Sequence, residues 1–171
     1  MSRPERLVRC TSGVAAVEMA LVLPLLLLLI CSCVELGNYF LDEHRLIKAV
    51  RDGARYAARQ PIGLFTGCSG DPGGTVVADT RNIVMTGLLS GGNDYLPNRG
   101  SATINVKVVS CSTTTQGGVY TGLKKGSGTA VGAPVVQVSA SVPYTPVMHA
   151  FGFTGAGLSI NATQQAAVTG W

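Results

Sequence analysis

Val14-Ala-Ala-Val-Glu-Met-Ala-Leu-Val-Leu-Pro-Leu-Leu-Leu-Leu-Leu-Ile-Cys-Ser-Cys-Val34 is the stretch on which the reading of this chain turns. From Met19 to Val34 it holds no charge, and most of its residues are Leu, Val or Ile. Sixteen residues in helix cover about 24 Å, slightly short of a hydrocarbon core; starting at Val14, and so including Glu18, extends this to about 31 Å, which matches one. Helix is the demanded conformation, because an unpaired backbone group in lipid costs several kcal/mol. Pro24 is tolerable there and can kink the segment. The segment is therefore expected to cross a membrane once. The N-terminus is expected on the cytoplasmic side, because Arg3, Arg6 and Arg9 precede the span whereas Glu35, Asp42 and Glu43 follow it.

The rest of the chain is different material. Apolar residues make up 46% of the whole, yet beyond Val34 the sequence is rich in Gly, Ser, Thr and Val, so the average conceals two regions joined end to end. The formal net charge is +4, and residues 1–13 supply +2 of it (Arg3, Arg6 and Arg9 against Glu5). The one dense basic series, Arg45, Lys48, Arg51, Arg55 and Arg59, recurs at three- and four-residue steps. It reads as the polar side of a helix near the membrane, facing solvent, lipid headgroups or acidic surfaces, and not as a nucleic-acid interface.

Leu36, Phe40, Ile47, Val50, Ala54 and Ala57/Ala58 recur at mostly helical spacing, which predicts a membrane-proximal helix ending at Gln60-Pro61-Ile62-Gly63. Val76 to Leu89 predicts a second helix. Alternation places Ile104, Val106 and Val108 on one face of a strand, and Val136, Val138, Ala140 and Val142 on one face of another that Pro143 and Pro146 end. Leu158 to Val168 is a third strand or a short helix, with a strand at Leu158 to Ala162 preferred. Between the first two strands, Ser112 to Gly132 is a polar, Gly-rich connection. The expected fold class is α+β: a long N-terminal transmembrane helix continues into an extracytoplasmic helix packed on a small antiparallel sheet. The corresponding regions are a leader at 1–13, a transmembrane helix at 14–35, a membrane-proximal helix at 36–60 and an extracytoplasmic α+β domain at 61–171.

No catalytic constellation emerges, and neither enzyme activity, a cofactor nor a metal is expected. His44 and His149 lie 105 residues apart, and neither belongs to a metal-ligand spacing. Gly152, Gly155 and Gly157 lack the strand, spacing and lysine of a phosphate loop. Asn161-Ala-Thr163 matches a glycosylation acceptor and is read as chance. Of five cysteines, Cys10 lies in the leader and Cys31 and Cys33 in or near the outer half of the span. Cys68 and Cys111 fall in the exported part. They form one disulfide there, worth about 4 kcal/mol on a loop-entropy estimate, or stay as two buried thiols. Ile30-Cys-Ser-Cys33 is an imperfect lipoprotein box, which would make Cys33 a lipidation site.

Glu18 is the anomaly: a carboxylate inside the length needed to span a bilayer is either functional or marks the cytoplasmic edge of a shorter span. Its surroundings carry a resemblance. Ser12-Gly-Val-Ala-Ala-Val-Glu-Met-Ala-Leu-Val-Leu-Pro24, the leucine run, Val34-Glu-Leu-Gly37 and then Arg51-Asp-Gly-Ala-Arg-Tyr-Ala-Ala-Arg59 together resemble the start of TadE-like proteins. These are minor pilin or pseudopilin components of tight-adherence (Flp-type) pilus systems. The resemblance implies residence in a bacterial inner membrane, a role in pilus assembly and surface adhesion, and possible incorporation in the pilus. The implied partners are other pilins or pseudopilins, the inner-membrane pilus machinery and membrane lipid. It further implies a prepilin peptidase that cuts between Gly13 and Val14, leaving Glu18 at the fifth mature position, where it would set helix register. Met19 departs from the pattern, since many members have an aromatic residue there. The competing expectations are an unprocessed membrane-anchored assembly or secretion factor and a lipidated extracytoplasmic binding module.

Overall fold

The structure, a computed structural model, describes residues 11–65, 70–93, 95, 99–111, 124–125, 129–130, 134–149, 152, 154–155 and 157–170. Its elements are helices α1 (Thr11–Ala58) and α2 (Val76–Thr86), and strands β1 (Thr103–Cys111), β2 (Lys124–Lys125), β3 (Thr129–Ala130), β4 (Pro134–Pro143) and β5 (Ser159–Ala167). Short 3-10 turns occupy Ile62–Leu64 and Arg99–Ser101. The expected α+β class is what is found. Contacts divide the chain into two units, 1–38 and 39–171.

Of the first unit, the described part is the N-terminal portion of α1, a helix that runs through Pro24 without ending. Every side chain from Gly13 to Ile30 is exposed. Ser32 Oγ donates to the Leu28 carbonyl at 2.8 Å, so the hydroxyl is satisfied within its own helix, as a polar group in an apolar setting requires.

The core of the second unit draws on α1, α2 and the sheet, with Phe65, Tyr144 and Val168 added from the connecting segments. From α1 come Leu46, Ala49, Val50, Ala54, Ala57 and Ala58; from α2, Val76 and Val84; and from the sheet, Ile104, Val106, Val108, Val136, Val138, Ala140, Val142, Ile160 and Ala162. The sheet order is β1-β4-β5, antiparallel throughout, so the strand with the strongest alternation is central. Its two prolines are its first and last residues, where a missing donor interrupts no interior ladder position. β5 is a strand of nine residues, longer than the five at Leu158 to Ala162 read from the sequence. Pairing with β4 supplies its hydrogen bonds, which its weak pattern of Asn, Thr and Gln does not announce. β2 and β3 form a separate two-stranded pair within the connection between β1 and β4.

α2 ends three residues earlier than its apolar pattern suggests, because Gly87 adopts a left-handed conformation (φ 76°) and its N–H caps the Ile83 carbonyl. α1 and α2 meet at Gly53: a Cβ there would lie 2.5 Å from Val84 Cγ2 and 3.3 Å from Thr80 Cγ2. Arg81 Nε donates to the Ile104 carbonyl at 3.1 Å and ties α2 to β1.

The apolar face of α1 is the expected one at Val50, Ala54, Ala57 and Ala58 and differs from it before them. Phe40 and Ile47 are exposed, and the stripe that turns inward after residue 38 is Asp42, Leu46, Ala49/Val50, Gly53/Ala54 and Ala57/Ala58. Asp42 starts this stripe as a buried carboxylate, held by Arg45 at 3.0 Å. A charged residue at an inward position hides the correct phase from an apolar count.

Candidate functional site: the apolar half of α1

Gly13 and Val14 sit in the first turn of α1, and Glu18 follows Val14 by four residues. On a helix that spacing puts the Glu18 side chain about 5–6 Å from Val14 on the same face. Leu21, Val22 and Leu25 continue that face, so the carboxylate lies in a strip of aliphatic side chains. All of them are exposed: Val14 by 60%, Leu21 by 71% and Leu25 by 69%, values proper to a surface awaiting an apolar partner or solvent and not to a soluble core. Among the described residues Glu18 has no ion pair. Ala15, Ala16 and Ala20 around it are small and exposed, the kind of surface on which two helices approach closely. A carboxylate with this setting can capture a cation delivered by another chain, and in low dielectric it would hold it strongly.

α1 contains one segment long and apolar enough to cross a membrane, with none of its apolar window buried. This is the property expected of a single-pass anchor. Cys31 and Cys33 are free thiols within the same uninterrupted helix. Two residues apart, they point to different sides of it.

The other residues singled out in the sequence lie elsewhere. Arg45, Lys48, Arg51, Arg55 and Arg59 are exposed, on the side of α1 away from its buried stripe. Arg55 pairs with Asp52 at 3.6 Å. His44 and His149 are both exposed, and among the described residues no group of three or more His, Cys, Asp or Glu is placed to hold a metal ion. Cys68 lies outside the described residues and Cys111 is described by its backbone. The nearest described contact is the antiparallel bridge of Gly70 with Val108, where the Val108 N–H donates to the Gly70 carbonyl at 2.7 Å.

Two features of the folded unit were not read from the sequence. Tyr39 and Tyr144 stack edge to face at 5.2 Å, joining the start of this part of α1 to the segment after β4. Tyr56 donates its hydroxyl to Asp79 at 3.2 Å; burial, and then that carboxylate, push the phenol above its ordinary pKa. Both pairs join residues far apart in the chain, and no local spacing signals them. Beside Tyr56 a cleft of about 690 Å³ opens between the last turns of α1 and the residues after α2, with Arg55 and Arg59 on one wall and Leu88 and Leu89 on the other.

Comparison with known proteins returns one finding. Residues 13–55 match the family model of the TadE-like proteins. No curated protein and no solved structure matches the chain. The matched segment holds the exposed apolar stretch, Glu18 and most of the buried stripe of α1, and it stops before α2 and the sheet. Over residues 13–55 this chain is similar to the TadE-like proteins, and the match includes Gly13, Glu18 and Pro24.

Proposed function

We propose that this protein is a minor pilin or pseudopilin of a tight-adherence (Flp-type) pilus. It is held in a bacterial inner membrane by residues 14–35, with the folded unit on the extracytoplasmic side. The carrying observation is the coincidence, within one helix, of the TadE-like match, a fully exposed apolar surface and a single carboxylate near its start. Cleavage between Gly13 and Val14 would expose an α-ammonium on Val14. Glu18 of a neighbouring chain would then neutralise that charge as apolar helices bundle. The pair gives orientation and register more than net stability, since both charges are desolvated. The exported unit makes partner contacts in assembly and adhesion, with no chemistry of its own. Cys68 and Cys111 close a disulfide in the oxidising compartment. The reading is supported by the hydrogen bond between Gly70, two residues beyond Cys68, and Val108, three residues before Cys111.

Intact-mass analysis of the membrane form with N-terminal mapping tests this. The expected product begins at Val14, and a digest without reduction contains the peptides of Cys68 and Cys111 joined. An intact N-terminus would replace the reading with an unprocessed anchored assembly factor. A lipid-bearing product beginning at Cys33 would replace it with a lipoprotein. Glu18→Ala should leave the protein in the membrane and reduce its incorporation into assembled pili; unchanged incorporation would remove the role given to Glu18.

A further inference from the structure

The hairpin of β4 and β5 runs alongside α1 from Tyr39 to Ala58 and is fixed to it at both ends. At one end the Thr169 N–H, just past β5, donates to the Ala58 carbonyl at 2.8 Å. At the other the ring of Tyr144, just past β4, meets that of Tyr39 at 5.2 Å. The connection between the two strands therefore turns at the Tyr39 end of the folded unit. Its base is closed by the Tyr144 N–H, which donates to the Leu158 carbonyl at 3.0 Å.

That connection, Tyr144-Thr-Pro-Val-Met-His-Ala-Phe-Gly-Phe-Thr-Gly-Ala-Gly-Leu158, contains no Asp, Glu, Lys or Arg, and neither does any other residue from 126 to 171. Surface connections are ordinarily polar, and exposed apolar groups gathered at one place mark a contact. Here Val147 and Leu158 are exposed. Phe40, whose ring meets Tyr39 edge to face at 6.1 Å, is exposed at the same end.

Chain connectivity says what covers this end. Tyr39 stands five residues after Val34, where the apolar stretch stops, and α1 is unbroken between them. Five helical residues rise about 7.5 Å, and the headgroup layer beside a hydrocarbon core is about 5–7 Å deep. With residues 14–35 in a bilayer, Tyr39 stays at the outer edge of that layer or within it, since tilting the helix only lowers it. Helical side chains lean toward the N-terminus, so its ring points back into the layer, where tyrosine is favoured. Val147 follows Tyr144 by three residues, a reach of about 10 Å at most, so lipid lies within its range before any protein arrives. An uncharged segment enters that boundary without the cost of desolvating an ion.

We infer that the β4–β5 connection is a second membrane contact, with Val147 and Leu158 entering the boundary between headgroups and acyl chains beside the anchor. The contact restricts the swing of the folded unit about its anchor. It rests on residues 14–35 crossing a membrane and is independent of leader cleavage.

The full-length protein in phosphatidylcholine vesicles tests this, with lipid brominated near the headgroup end of its acyl chains as a contact quencher. Trp171 is the one tryptophan of the chain, so each probe is placed in a Trp171→Phe background. Val147→Trp and Leu158→Trp should lose much of their emission in brominated relative to plain vesicles. Leu88→Trp should lose none: it is also exposed, but it lines the cleft with Arg59, about 30 Å of helix beyond Tyr39. Ile30→Trp reports the anchor and should be quenched. A quenched Ile30→Trp with Val147→Trp and Leu158→Trp unquenched would overturn this inference and leave the anchor standing. Equal quenching of Leu88→Trp would overturn it as unspecific adsorption, and an unquenched Ile30→Trp would overturn the anchor together with it.

Discussion

Residues 13–34 and 39–58 belong to one helix, yet they obey different rules. In the first stretch the side chains are mostly aliphatic on every side, with Glu18 the one charge, and from Gly13 to Ile30 every one is exposed. In the second, charged residues alternate with small apolar ones, and Leu46, Val50, Ala54 and Ala57 are each no more than 1% exposed. The first is stabilised by whatever replaces water around it, and its composition alone suits it to lipid. The second is stabilised by a particular set of neighbours: α2 at Gly53 and the inward residues of β1, β4 and β5. The lesson concerns information content. An element that meets an unstructured solvent needs only the right average chemistry, whereas one that meets a folded surface needs the right residue at the right angle.

The strongest way to break this comparison is to put charge into the first stretch. Replacing Leu25, Leu27 and Leu29 together with Arg adds about 2.5–3.5 kcal/mol per residue to membrane insertion. The chain should leave the membrane fraction while the melting of its folded unit, followed by near-ultraviolet circular dichroism, stays where it was. Retention in the membrane after alkaline extraction would show that the first stretch is not the anchor.

A subtler pair applies one substitution to both regions. Leu46→Ala removes a side chain that is 1% exposed and should lower the stability of the folded unit by about 2–5 kcal/mol. Leu27→Ala acts on a side chain that is 50% exposed and should alter it by less than about 0.5 kcal/mol. Denaturant titration in detergent measures both, and equal losses would erase the distinction.

The smallest contrast uses the glycines. A Cβ at Gly53 collides with Val84, whose side chain is fully buried and branched at its own Cβ. Gly53→Ala should cost about 1–3 kcal/mol in overpacking, partly offset by about 1 kcal/mol of helix propensity. A Cβ at Gly37 meets nothing within 4 Å, so Gly37→Ala keeps only the propensity gain. The two variants should therefore shift the melting temperature in opposite directions.

Legibility in the sequence followed the same division. The segment long and apolar enough to span a membrane, its carboxylate and the TadE-like resemblance were readable because each is carried by short runs of neighbouring residues. The inward faces of β1 and β4 were readable because strict alternation of Ile and Val has one sensible meaning for a half-buried strand. The inward face of α1 was readable from Val50 to Ala58 but not before it, because Asp42 occupies an inward position and Phe40 and Ile47 face out. The extent of β5 was not, because Asn161, Thr163, Gln164 and Gln165 carry little propensity of their own and take strand geometry from β4.

The sequence by itself determined that this chain has an apolar helix long enough to cross a membrane and bearing one acid, followed by an α+β unit, because composition and period are local properties that each segment expresses alone. Only the tertiary structure decided that Asp42 and Leu46 lie on the buried side of α1, that α1 and α2 meet at Gly53, and that β5 runs to Ala167 beside β4. Those outcomes depend on which distant segments come together, and the free energy of a packed contact belongs to the pair and to neither residue separately.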